Sequence, residues 1–139
     1  MRLRAATAAL FAVMLADCHG VAMLGPCSYG ALTSGMDAID ASSDKPAAKA
    51  KDMDYYQVQP LRCLFKYGHQ REYLIIQARA QLRAGLDYQK ARDKDAAYKD
   101  LSDAVETAES SIVDDTIDAG ARADARDILK QANEALNAL

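Results

Sequence analysis

The sequence is poor in the residues that build large cores, tight turns and strands. Its 139 residues include no tryptophan, two phenylalanines, seven glycines and three prolines, and most of the glycines and prolines precede residue 86. Half of the residues are hydrophobic, but many of these are alanines. Scarce turn residues argue against many short strands. We therefore expect an all-α protein of thin, closely packed helices, in at most one domain with appendages.

Basic charge, histidine and catalytic motifs are also scarce. A net charge of −3 and a pI near 5.3 argue against nucleic-acid binding, which needs a basic surface. Of the two histidines, His19 lies near the N-terminal apolar run, and His69 has only Glu72 at helical spacing, which is short of a metal-binding set. No Gly-x-Ser-x-Gly, phosphate-binding glycine loop or Cys-x-x-Cys occurs. We expect no metal, no cofactor and no enzymatic activity.

The first residues have the pattern of an export signal. Arg2 and Arg4 precede a largely apolar run over residues 5–16, which is too short to cross a bilayer. A membrane anchor that continued to residue 25 would carry Asp17 and His19, and a mid-helix Asp costs about 2.5–3.5 kcal/mol on insertion scales. We expect export to the periplasm or cell envelope.

Two cleavage sites remain open. Gly20 and Ala22 suit a signal peptide over residues 1–22. Residues 15–18 instead resemble the signal of bacterial lipoproteins, which implies a signal over residues 1–17 and a lipid anchor on Cys18. Asp17 departs from that family, which has a small residue at this position. Either route leaves Cys27 and Cys63, and in an oxidising compartment two cysteines indicate a disulfide. The alternative is that Cys63 is simply a buried apolar residue on a helix.

Residues 23–59 are predicted to be a flexible N-terminal segment and tether, and residues 60–139 a helical domain. Residues 36–54 are small and polar with no sustained apolar period, although 47–54 suit a helical turn or two. Residues 55–59 are expected to approach Pro60 in an extended conformation.

Residues 61–111 are predicted to form an antiparallel hairpin of two helices. The first begins at Pro60 or, because Gly68 weakens a helix, near Gln70. Its apolar stripe comprises Leu61, Leu64, Phe65, Gly68, Ile75, Ala78, Leu82 and Leu86, and that of the second comprises Ala97, Leu101, Ala104, Val105, Ala108 and Ile112. Asp93 or Asp95 suits the cap of the second helix. One or two C-terminal helices should follow, giving a small three- or four-helix bundle.

The last of these helices has a coiled-coil-like seam, which we expect to pack on the hairpin or on a second copy of the chain. Its members are Ala121, Ala125, Ile128, Ala132, Ala135 and Leu139.

The distribution of charge favours packing between the helices. Seven basic and two acidic side chains give residues 60–92 a charge of +5, and five basic and twelve acidic ones give residues 93–139 a charge of −7. The basic residues Arg62, Lys66, Arg71, Arg79 and Arg83 offer an alternative contact with an anionic membrane surface.

Five positions resemble the tetratricopeptide repeat pattern. They are Gly85, Tyr88, Ala97, Leu101 and Ala104. The match covers residues 78–111, with a fainter copy over 113–139, and departs from the family at Leu101, where an aromatic residue is usual, and at Gln81, where a bulky aromatic opens the motif. The resemblance implies a helical-repeat fold that binds protein without catalysis.

Together these features predict an exported, non-catalytic envelope protein that binds another protein through a helical face. The alternative is a structural envelope protein whose helices associate with those of other copies.

Overall fold

The predicted all-α class is confirmed. The computed structural model describes residues 27–68 and 70–139, so the signal-peptide positions, Cys18 and His69 lie outside the described residues. Within these ranges there are five helices and no strand: α1 (Tyr29–Ala41), α2 (Pro46–Lys66), α3 (Tyr73–Lys90), α4 (Lys94–Ile112) and α5 (Ala119–Asn137). None of these helices is long and apolar enough to span a membrane.

The predicted antiparallel hairpin is formed by α3 and α4. Asp93, one of the two predicted caps, accepts a hydrogen bond from the backbone N–H of Ala96. Arg92, with φ of 63°, reverses the chain between the helices. Gly85 lies against Leu101, and a Cβ added to this glycine would be 2.6 Å from the Leu101 Cγ. The absent side chain therefore lets the two helices approach closely.

The start of the hairpin differs from the simplest reading of the apolar stripe. Residues 61–66 belong to α2, the described residues 67–68 and 70–72 are not helical, and α3 begins at Tyr73. Gly68 lies in this non-helical segment. Of the two predicted starts for the first hairpin helix, the one near Gln70 is closer to the observed start at Tyr73. Pro60 opens no helix; it lies buried inside α2. An internal proline costs about 3 kcal/mol, which the packing of its ring must offset.

The prediction of a flexible tether over residues 23–59 is wrong for the described part, residues 27–59. Most of this segment is helical, and residues 55–59 are a helical part of α2. The reason is tertiary: Leu32 and Met36 of α1, and Ala50 and Met53 of α2, are fully buried. Their apolar contacts stabilise two helices that the polar composition of the segment does not predict.

Two cores share α3. The N-terminal core contains Leu32, Met36, Met53, Cys63, Tyr73, Ile76, Ala80 and Ala84. The C-terminal core contains Ile75, Ala78, Leu82, Leu101, Ala104, Ala108, Ile117, Ala125, Ile128, Ala132 and Ala135. The predicted seam of α5 is thus packed within its own chain, against α3 and α4, which leaves little of it for a second copy.

Candidate interaction surface

The residues of the repeat-like pattern meet where α3 and α4 cross. Ala97, Leu101 and Ala104 are fully buried, and Gly85 is buried beneath Leu101. Tyr88 is half-buried, and its pKa is raised by burial. These contacts hold the hairpin together, as small residues do at any close helix crossing. A relationship to the tetratricopeptide family stays a prediction.

The predicted disulfide is present in the structure and closes the N-terminal core. The sulfur atoms of Cys27 and Cys63 are 2.07 Å apart and join residues that are 36 positions apart in sequence. The hydroxyl of Tyr73 donates a hydrogen bond to the carbonyl of Cys27. The bond therefore fastens Cys27, two residues before α1, to the last turn of α2 and, through Tyr73, to α3.

Three of the five predicted membrane-binding cations form ion pairs with aspartates of the same chain. Arg71 forms an ion pair with Asp114, Arg79 lies 3.6 Å from Asp124, and Arg83 lies 2.9 Å from Asp37 and 3.0 Å from Asp40. A hydrogen bond from Thr116 and the guanidinium of Arg71 hold the pKa of Asp114 below its usual range.

The other two cations, Arg62 and Lys66, are exposed on the last turns of α2. Neither has a salt bridge to any described residue, although the Lys66 ammonium lies 5.4 Å from the centre of the Tyr67 ring. The five cations therefore do not form one continuous stripe, and only this pair is available to a partner.

A small charged cleft lies between α1, α2 and α3. It has a volume of about 160 Å³ and is lined by Asp40, Lys49, Arg83, Leu86, Asp87 and Lys90. Lys49 donates to the carbonyl of Asp40 at 2.8 Å, and Arg83 pairs with α1. Burial raises the pKa of Asp87, whose nearest cation is Lys90 at 3.6 Å. The cleft cations Lys49 of α2 and Arg83 of α3 thus hold α1 against the bundle.

The outward face of α2 carries the largest row of exposed apolar side chains in the described part of the chain. Tyr55, Val58 and Leu61 are 42, 47 and 43% exposed, and Phe65 is 95% exposed. Their spacing places them along one side of a helix whose opposite side, with Met53, Pro60 and Cys63, is buried. A contiguous apolar row of this kind marks an interaction site more often than scattered exposed side chains do.

Sequence reasoning missed this face because it divided α2 between a tether and the hairpin. The apolar stripe predicted for the first helix of the hairpin includes Leu61 and Phe65, but the structure exposes both, and Leu64 is half-buried beside the N-terminal core. The spacing of Tyr55, Val58 and Phe65 was the available signal, since steps of three and seven residues fall on one helical face.

Among the described residues no group of three His, Cys, Asp or Glu side chains is placed to hold a metal ion. No family model matches this chain, and no curated protein or solved structure shows significant similarity to it.

Proposed function

We propose that this chain is an exported, non-catalytic envelope protein that binds another protein through the outward face of α2. The observation that carries the proposal is the exposed row formed by Tyr55, Val58, Leu61 and Phe65. Aromatic and aliphatic anchors at helical spacing are the usual contacts when one helix lies against another. Arg62 and Lys66 at the end of the row add a positive edge that favours an acidic partner surface.

Two features support the export part of this proposal. The disulfide between Cys27 and Cys63 is of the kind that persists outside the cytosol. Residues 1–17 or 1–22 have the composition of a signal. Intact mass of the protein recovered from the envelope should show loss of one of these segments; an uncleaved chain in the cytosol would contradict export.

The binding face is tested by cross-linking in the native envelope. Leu61→Glu/Phe65→Glu places two charges on the row without touching either core, so helicity and melting temperature should be retained while cross-linked protein partners disappear. Val113→Glu is the matched control, because Val113 is 81% exposed and lies in the loop after α4. Equal capture by both variants would overturn the assignment of this face.

A structural role for self-association is the second candidate function. The seam of α5 is buried in the C-terminal core, with Ala125 and Ala132 fully inaccessible. If copies of the chain associate, the outward face of α2 is therefore the better candidate.

A further inference from the structure

The outward face of α2 has a symmetric arrangement of residues about Val58. Tyr55 and Leu61 lie three positions before and after it, Asp54 and Arg62 lie four, and Lys51 and Phe65 lie seven. All seven side chains are exposed. Positions three, four and seven residues from a given residue share its side of a helix, so these pairs occupy one surface.

The two ends of this surface complement each other. Antiparallel alignment of two copies of α2 about a two-fold axis at Val58 sets Asp54 of one chain level with Arg62 of the other. The same alignment sets Lys51 level with Phe65, where an ammonium over an aromatic ring is favourable. Tyr55 comes level with Leu61, and Val58 meets its own counterpart. Each contact is made twice, as an isologous interface requires.

A parallel alignment has no such match, because Asp54 would meet Asp54 and Arg62 would meet Arg62. Within the described part of the chain neither residue has a salt bridge that this pairing would break. Like charges opposite each other are unfavourable, and opposite charges set orientation. The charge pattern thus favours an antiparallel over a parallel pairing of two copies of this face.

We infer that the outward face of α2 binds a second copy of this chain, with the two α2 helices antiparallel and Val58 at the two-fold axis. This inference rests on the proposed function and names its partner. A single helix pair buries less than the roughly 800 Å² per partner of a standard interface. The dimer should therefore dissociate on dilution.

Charge reversal tests the pairing in the full chain by sedimentation over a range of concentrations. Asp54→Arg and Arg62→Asp should each shift the protein to monomer, because each opposes like charges twice. The double variant Asp54→Arg/Arg62→Asp should restore the dimer. Asp127→Arg, on the exposed side of α5, should leave the mass unchanged. A wild-type monomer at every concentration would overturn the inference, and a double variant that stays monomeric would overturn the antiparallel pairing.

Cysteine cross-linking tests the position of the axis. In a Cys18→Ser background, Val58→Cys should form a disulfide-linked dimer on mild oxidation, whereas Val113→Cys and the otherwise unchanged chain should not. Equal cross-linking at both positions would contradict the inference. If the protein is monomeric and binds anionic vesicles in a way that depends on Arg62, the partner of this face is a lipid surface and the inference of a second copy is wrong. If the wild type is monomeric but Leu61→Glu/Phe65→Glu still abolishes capture of a different protein, self-association fails and the proposed function stands.

Discussion

The N-terminal and C-terminal cores are stabilised in different ways, although both use α3. Six of the eleven residues in the C-terminal core are alanines, and no covalent bond crosses it. The N-terminal core has two alanines among eight residues, relies on larger side chains such as Met36 and Met53, and is closed by the disulfide.

Helix length accounts for much of this difference. In the C-terminal core, α4 and α5 each have 19 residues; α4 packs extensively on α3, and α5 packs mainly on α4. In the N-terminal core, α1 has 13 residues and buries only Leu32 and Met36. A helix this short is marginal by itself. The comparison shows that long alanine-lined helices hold each other by close packing, whereas a short helix needs a cross-link and bulky anchors.

Removal of the disulfide should have the largest effect and should fall on the N-terminal core. Cys27→Ala/Cys63→Ala is expected to lower the free energy of unfolding by up to about 4 kcal/mol, since the bond closes a loop of this length in the unfolded chain. Denaturant unfolding measures the loss, and hydrogen exchange should localise it to α1 before α4 and α5. Reductant should destabilise the wild type but leave the variant unchanged. Equal loss of protection in all five helices would show that the two cores unfold as one.

Alanine substitution of one glycine beside each core sharpens the comparison. Gly85→Ala places a Cβ 2.6 Å from the Leu101 Cγ and 3.1 Å from its backbone N. Because these atoms lie close to the α4 backbone, the helices must separate, at a cost of about 1–3 kcal/mol. Part of this is offset by the helix preference of alanine, worth about 1 kcal/mol.

The matched substitution is Gly35→Ala, whose Cβ meets the outer end of the Tyr56 ring. That ring packs against the N-terminal core and edge-on against Tyr55, but only its hydroxyl end has to move and none of the nearest atoms is backbone, so the melting temperature should fall by less than in Gly85→Ala. Leu101→Ala should recover part of the cost of Gly85→Ala, because it removes the atoms that clash. Equal destabilisation at Gly35 and Gly85 would contradict the view that only the C-terminal core depends on close backbone approach.

The smallest expected effect concerns Asp100 of α4, which contacts α2. Gln57 of α2 donates to its carboxylate at 3.5 Å, and burial raises the pKa of Asp100 despite Lys99 at 3.6 Å. A raised pKa means that the folded state holds the proton more tightly than the unfolded state. The contribution of Asp100 to stability is therefore greatest at acid pH and is lost as pH rises through its folded-state pKa.

Asp100→Asn should thus raise the melting temperature at pH 7 more than at pH 4, since the amide carries no charge to bury and can still accept from Gln57. Asp115→Asn, in the exposed loop before α5, is the control and should show no such difference. A variant that is less stable than the wild type at pH 7 would mean that the ionised Asp100 carboxylate stabilises the contact between α2 and α4.

Local sequence patterns were enough to predict the elements that depend on neighbouring residues. The apolar spacing around Leu101 and Ile128, the cap at Asp93 and the pairing of Cys27 with Cys63 all depend on neighbours in sequence or on a count of thiols. These signals predicted α4, α5, the hairpin and the disulfide, because helix periodicity and capping act within a few residues.

Contacts between distant segments account for the helices before α3, the position of Pro60 inside α2 and the ion pairs of the basic residues. Leu32 and Met53 gain their burial from residues of other helices in the N-terminal core, and Arg71 and Arg83 form ion pairs with aspartates more than forty residues away in sequence. The exposed row on α2 depends on the same fact: which side of a helix faces water is fixed by what packs against the other side. The free energy of contacts between distant segments determines which side of α2 is buried, and no local sequence pattern contains that information.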